Sequence, residues 1–259
     1  MRIWIFLFLS FLAVSAQAQY FSSTFFQPAY GWANRDFQFG TDTENGNMAL
    51  LTLDHVGTWK WGGHYFFINY SIGPFVDYDF ATGARSRGVS DYRIYSEYSP
   101  WLSFQGLFGW HPWHKVWRDL SIEGSINIAY SGYHAWLGGL GMEFNLPQGY
   151  FLKAIFYYKN QQPMRDLPKD EGLQITLVYD ITLLKKPGIR LQGFADIQPK
   201  INDFWGFDFL AQPRLLLDVG QWLIPKQRPR TWEIGIDWYL HFNDQLSVSV
   251  PQPAIRFTW

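Results

Sequence analysis

"LSIEGSINIAY", residues 120–130, decides how the chain is read. Leu120, Ile122, Ile126, Ile128 and Tyr130 share one parity with Gly124, and Ser121, Glu123, Ser125 and Asn127 share the other. Successive side chains of a strand point to opposite faces, so this is a strand with one apolar and one polar face. The pattern continues outward. Trp136, Leu140, Met142, Phe144 and Leu146 alternate with Leu137, Gly139, Gly141, Glu143 and Asn145. Ile189, Leu191, Ala195 and Ile197 oppose Arg190, Gln192 and Asp196, and Trp232, Ile234, Ile236, Trp238 and Leu240 oppose Glu233, Asp237 and His241. Twelve segments read this way: 23–33, 47–58, 63–73, 90–99, 119–130, 135–146, 149–159, 171–182, 188–197, 204–217, 230–242 and 248–259. Neither a linker nor a fixed-period repeat interrupts them, so the reading is one all-β domain.

Composition narrows the classes. The length of 259 residues suits one large domain. A net charge of −1 offers no basic face for nucleic acid. The absence of cysteine excludes disulfides, thiol catalysis and Cys-based zinc sites. Aromatic residues reach 20%, yet mean hydropathy is only −0.16, so the rings are diluted by polar residues. The exception is "MRIWIFLFLSFLAVSAQAQ", with Arg2, an apolar run from Ile3 to Val14, and Ala16-Gln17-Ala18. That run is shorter than the roughly 20 residues a spanning helix needs. It reads as a signal peptide over 1–18, leaving a barrel over 19–259.

Alternation alone also fits a soluble sandwich or lipocalin-like barrel. Segments of about 10–12 residues match tilted membrane strands rather than the 5–6 usual in globular sheets. The polar face carries full charges in nearly every segment. Tyr130, Trp136, Tyr150, Tyr158, Tyr179, Trp232, Trp238 and Trp259 cap the apolar face near strand ends, where interfacial rings belong. Connections 59–63, 145–149 and 184–188 are tight and share one parity, expected in the periplasm. Connections 34–46, 74–90 and 160–171 are long, polar and on the other parity, expected at the cell surface. Connections 100–119 and 218–230 are long on the short side, and 131–134 is short on the long side.

The C-terminal "PAIRFTW" ends mid-strand on an aromatic residue. Such a strand is an edge until it pairs with the first strand, and assembly machinery of the outer membrane reads it in that state. Pro251 and Pro253 lack ladder donors and place the start of this strand nearer Ala254.

The order of segments resembles the nucleoside-specific channel-forming proteins of the Tsx and OmpK type. The resemblance is carried by "YGWANRDFQFG…LLTLDHVGTWKWGGHYFFINYSIG", "HAWLGGLGMEFNLPQGYFLKAIFYYKN" and "EGLQITLVYDITLLKKPGIRLQGFADIQ". It implies a twelve-stranded outer-membrane barrel of a Gram-negative bacterium that passes nucleosides without a cofactor. The terminal Trp, where such chains usually carry Phe, and the short 131–134 connection depart from the family.

A twelve-stranded lumen is narrower than that of a sixteen-stranded porin. Inward parity supplies acids and bases interspersed, with rings at Tyr95, Tyr157, Phe194 and Tyr239. Candidate substrate contacts are Asp54, Glu143, Arg190, Asp237 and Tyr239. Mixed polar groups and rings suit a neutral solute with a hydroxylated part and a flat part. The bland alternative is that paired charges merely fill the barrel. A surface receptor or structural barrel, or a channel for another small or hydrophobic substrate, stands beside the nucleoside reading. Expected partners are outer-membrane lipid, the solute and the assembly machinery, with the chain a monomer. His111 and His114 have metal spacing without accompanying carboxylates, and His55 and His64 lack a serine partner. Neither metal, cofactor nor enzymatic activity is expected.

Overall fold

Twelve antiparallel strands form one sheet that closes on itself. The computed structural model describes residues 21–79, 82–110, 115–147, 150–162, 170–200, 206–223 and 230–259. The expected signal peptide, the His111–His114 pair and most of the 160–171 connection lie outside them. The strands are β1 (Phe21–Gly31), β2 (Met48–Trp59), β3 (Gly62–Ile72), β4 (Tyr92–Ser103), β5 (Trp117–Ala129), β6 (His134–Phe144), β7 (Tyr150–Gln162), β8 (Asp170–Leu184), β9 (Ile189–Gln198), β10 (Asp208–Ala211 and Arg214–Asp218), β11 (Trp232–Asn243) and β12 (Ser247–Thr258). Each pairs with the next in sequence, and β12 pairs with β1 through Phe25↔Thr258, Phe26↔Phe257 and Ala29↔Ala254. Closure leaves no sheet edge.

The amphipathicity is that of a membrane barrel. Along β11, Trp232, Ile234, Ile236 and Trp238 are 37–46% exposed, while Glu233, Asp237 and His241 are 0–1% exposed. In the opening stretch, Ile122 and Ile128 face out and Ser121, Glu123, Ser125 and Asn127 are buried. A soluble barrel puts its apolar face inside. Here that face is the outer wall, so only a hydrocarbon surround buries it. Tyr30, Tyr92, Trp136, Tyr150, Tyr158 and Trp259 stand exposed at strand ends. Tyr130 does not join them. Strand β5 stops at Ala129, a 3₁₀ turn follows over Tyr130–Gly132, and the Tyr130 ring lies 3.9 Å from the Arg93 guanidinium carbon.

Three local departures have backbone causes. First, β12 begins at Ser247 rather than near Ala254. Its ladder to β11 runs from Phe257↔Trp232 to Ser247↔Phe242 without a break, through both prolines. Pairing to β1 instead ends at Ala29↔Ala254, so the missing N–H groups fall where that seam has already opened. Second, β10 is split at Gln212–Pro213. A Cβ on Gly193 of β9 would lie 2.3 Å from the Gln212 carbonyl, so glycine permits this close approach. Third, the long connection after β4 contains a one-turn helix, Phe104–Phe108. The Ser103 hydroxyl accepts from the Gly106 N–H at 2.9 Å, and Gly109 closes the turn at φ 64°. A second short helix, Gly220–Leu223, occupies the connection after β10.

Candidate functional site

The lumen has a dense layer on one wall. From β9, Arg190 donates to both carboxylate oxygens of Glu233 on β11 at 2.6 Å each, and to Asp180 on β8 at 2.8 Å. From β10, Arg214 Nε donates to Asp237 Oδ2 at 2.9 Å, and Gln27 of β1 donates to the same oxygen at 2.8 Å. Arg256 of β12 donates to Gln27 Oε1 through Nε (2.9 Å) and Nη2 (2.7 Å), and to Gln192 of β9. Its guanidinium lies 3.8 Å from the centroid of Phe25. Asp54 accepts from the Tyr65 hydroxyl at 2.5 Å, within electrostatic reach of Arg214, Arg256 and Arg190. Several of these bonds skip a strand, so they run as chords across the lumen. Bidentate arginine–carboxylate contacts fix geometry as well as charge.

On the opposite wall, Lys153 of β7 pairs with Glu123 of β5 at 2.6 Å. Gly141 lies between them: a Cβ there would sit 2.5 Å from Glu123 Oε1 and 2.9 Å from Lys153 Cε. The glycine makes room for the ion pair. Glu143, near the end of β6, lies across the strand ladder from Lys153 and pairs with Arg118 at 3.1 Å.

Residues 32–47, between β1 and β2, include the 34–46 connection expected at the cell surface. They fold into the mouth of the barrel rather than standing out from it. Asn34, Asp36, Asp42 and Thr43 are all buried. Asp36 Oδ2 accepts from the Tyr239 hydroxyl and lies 2.6 Å from His241 Nδ1. His241 Nε2 lies 2.9 Å from Asp208 Oδ1. Both ring nitrogens face carboxylates, so both donate and the ring is an imidazolium. Phe39 stacks on that ring with centroids 4.9 Å apart, and Asn243 donates to both Asp208 and Gln38. Burial pushes the Asp36 carboxyl up. His241, Tyr239 and the Phe39 amide outweigh burial and hold it below its usual value. The next long connection is stitched to this loop: Arg85, in a short ribbon of residues 76–78 and 85–87, pairs with Asp42 at 2.7 Å.

Beneath the loop is a cavity of about 110 Å³. Asn34, Phe39 and Thr41 roof it. Its walls carry Asn69, Glu97, Asp196, Gln212 and Gln252 among rings at Phe67, Tyr95, Phe194 and Tyr239.

The expected contact residues therefore separate. Asp54, Arg190 and Asp237 meet in the ion-pair layer, Tyr239 reaches the cavity and the loop, and Glu143 sits at the rim. Sequence reasoning missed Gln27, Gln252 and Arg256, although parity along β1 and β12 marks them as inward. It also missed Asp36, for which periodicity gives no signal. On the outer face, His55 and His64 stack with centroids 5.3 Å apart, and His55 Nδ1 is 2.7 Å from the Thr24 hydroxyl. Among the described residues no carboxylate bonds to His55, and no three metal-ligating side chains gather.

No family model and no curated protein matches this sequence. Solved structures with a similar course include the KdgM porin in complex with disordered oligogalacturonate. It has a TM-score of 0.49 at 9% identity, over 92% of this chain and 99% of that one. The KdgM porin alone gives 0.48 at 10% identity over the same shares. The low-pH structure of Pseudomonas putida OprB gives 0.38 at 9% identity, over 96% of this chain and 95% of that one. The likeness is one of barrel architecture.

Proposed function

We propose that the protein is a monomeric outer-membrane channel of a Gram-negative cell, passing small solutes passively, with nucleosides as its solute class. The observation that carries the reading is the inverted barrel: an apolar outer wall around a lumen of charged, amide and ring side chains with a cavity inside it. A passage for polar solutes needs such a lining, and selectivity needs donors, acceptors and stacking faces at fixed positions. Phe67, Tyr95, Phe194 and Tyr239 offer faces for a base, while Asn69 and Gln212 offer amides for hydroxyls. Arg190, Asp237 and Asp54 stand in the ion-pair layer, and Glu143 lies near the strand ends on the same side of the barrel as Arg190.

Size sets a condition. The cavity of about 110 Å³ is near the ~150 Å³ that holds one benzene. It admits one ring, and a base with its ribose enters only when residues 32–47 withdraw. Conduction requires weak binding, at about millimolar affinity or −4 kcal/mol. Two stacking contacts and a few hydrogen bonds supply that.

The filled lumen favours a second reading, a closed barrel serving as a surface receptor or structural protein. Flux of labelled uridine into proteoliposomes separates the two. Uptake that saturates in the millimolar range, and exceeds that of a sugar of similar mass, supports the nucleoside channel. Equal uptake of uridine and the sugar removes the nucleoside assignment, and no uptake of either supports the closed barrel.

A further inference from the structure

We infer that the cavity beneath residues 32–47 is a binding site for a small primary alkylammonium ion, held between Glu97 and Asp196. This goes beyond the solute class proposed above, and it rests on that reading only in placing the site along a passage.

The starting point is a charge left without a counterpart. Glu97 enters the cavity from β4 and Asp196 from β9. Glu97 accepts from the Ser99 hydroxyl at 2.9 Å and the Tyr95 hydroxyl at 3.3 Å. Asp196 accepts from the Thr176 hydroxyl at 2.6 Å. These donors are neutral, and among the described residues neither carboxylate forms a salt bridge. Neither cation close by bonds either carboxylate. Arg93 pairs with Asp77 at 3.2 Å and lies over the rings of Phe75 and Tyr130. Lys159, within electrostatic reach of Asp196, donates to Gln198 at 3.2 Å. Two enclosed carboxylates with no cation between them are strongly unfavourable.

An independent observation points the same way. Gln252 is 1% exposed and lines the same cavity, and its Oε1 has no donor among the described residues. Buried acceptors are nearly always partnered, so an orphan at a cavity wall calls for an N–H from a ligand.

The complement follows from chemistry. A primary ammonium carries three donors and a positive charge, matching two carboxylates and one amide oxygen. Ring faces at Phe67, Tyr95 and Phe194 attract a cation and accept a short apolar tail. A neutral alcohol brings one donor and no charge. A carboxylic acid anion meets two like charges.

The test uses the full-length folded barrel in detergent, with n-butylammonium, n-butanol and butyrate as probes in isothermal titration calorimetry. Butylammonium is expected to bind, butanol at least about tenfold more weakly, and butyrate not detectably. The near-isosteric double variant E97Q/D196N is expected to weaken butylammonium by about tenfold or more and to leave butanol unchanged, with the mobility of the unboiled protein on gels reporting the fold. Absent butylammonium binding, equal affinity for butanol, or undiminished binding to the folded double variant overturns the inference. If that variant does not fold, the comparison of probes on the unmodified protein decides alone. Calorimetry needs no flux. Amine binding in a barrel that passes nothing refutes the channel and supports the site, whereas uridine flux without amine binding supports the channel and refutes the site.

Discussion

The two parts of the lumen are built from the same residue types and use them in opposite ways. In the layer, Arg190, Arg214, Glu233 and Asp237 each face an opposite charge at 2.6–2.9 Å, while Asp54 and Arg256 beside them bond Tyr65, Gln27 and Gln192. In the cavity, Glu97 and Asp196 face hydroxyls, and Gln252 keeps an orphan oxygen. Charges paired with opposite charges hold strands in register, and removing one partner strands the other. Charges held by neutral donors alone remain available to a solute. On the function proposed above, structure falls to the layer and recognition to the cavity.

The sharpest way to break this comparison is Glu233→Ala. It leaves Arg190 buried with only the Asp180 contact, and the folded barrel should lose about 3–5 kcal/mol. Urea titration read by the gel mobility of unboiled samples measures it. A loss as small as that of a surface substitution would remove the structural role of the layer.

A smaller effect is expected at the roof. Asp36→Ala deletes a charge-assisted bond to His241 worth about 1.5–3 kcal/mol, shifting the loop toward the withdrawn state by about tenfold or more. Maleimide labelling of Gly40→Cys in this cysteine-free chain should accelerate accordingly. Acid should act in the same direction. The Asp36 carboxyl is held below its usual value, so its contribution to closure is complete above about pH 4 and fades as pH falls through the lowered value. Labelling that speeds up on mild acidification to pH 6 would place the sensitive group elsewhere.

The smallest effect belongs to Glu97→Gln. This carboxylate has no cationic partner to strand, so stability should change by less than about 1 kcal/mol in either direction. A loss matching that of Glu233→Ala would show that the two parts of the lumen do the same work.

The barrel was legible because strand period is local. Every one of the twelve expected segments overlaps an observed strand, including those flanking the long connections at 100–119 and 218–230. Parity also identified the inward positions of Asp54, Arg190 and Asp237. Their partners were not legible, because the chords Arg190–Glu233 and Arg256–Gln192 join residues far apart in sequence across the closed lumen. The inserted loop was hidden for a different reason. A long polar connection such as "NRDFQFGTDTENG" has the same composition whether water or a polar lumen surrounds it. Tyr130 was misplaced because parity holds only while the strand lasts, and β5 ends one residue earlier.

Current through the purified protein in a planar bilayer tests the central claim most directly. The inverted barrel with an ion-pair layer and a latched loop should give small, discrete steps that grow in Asp36→Ala. Millimolar uridine should partly block them. A folded, membrane-inserted protein that gives no steps, with or without the latch, would contradict the account and leave a closed barrel in its place.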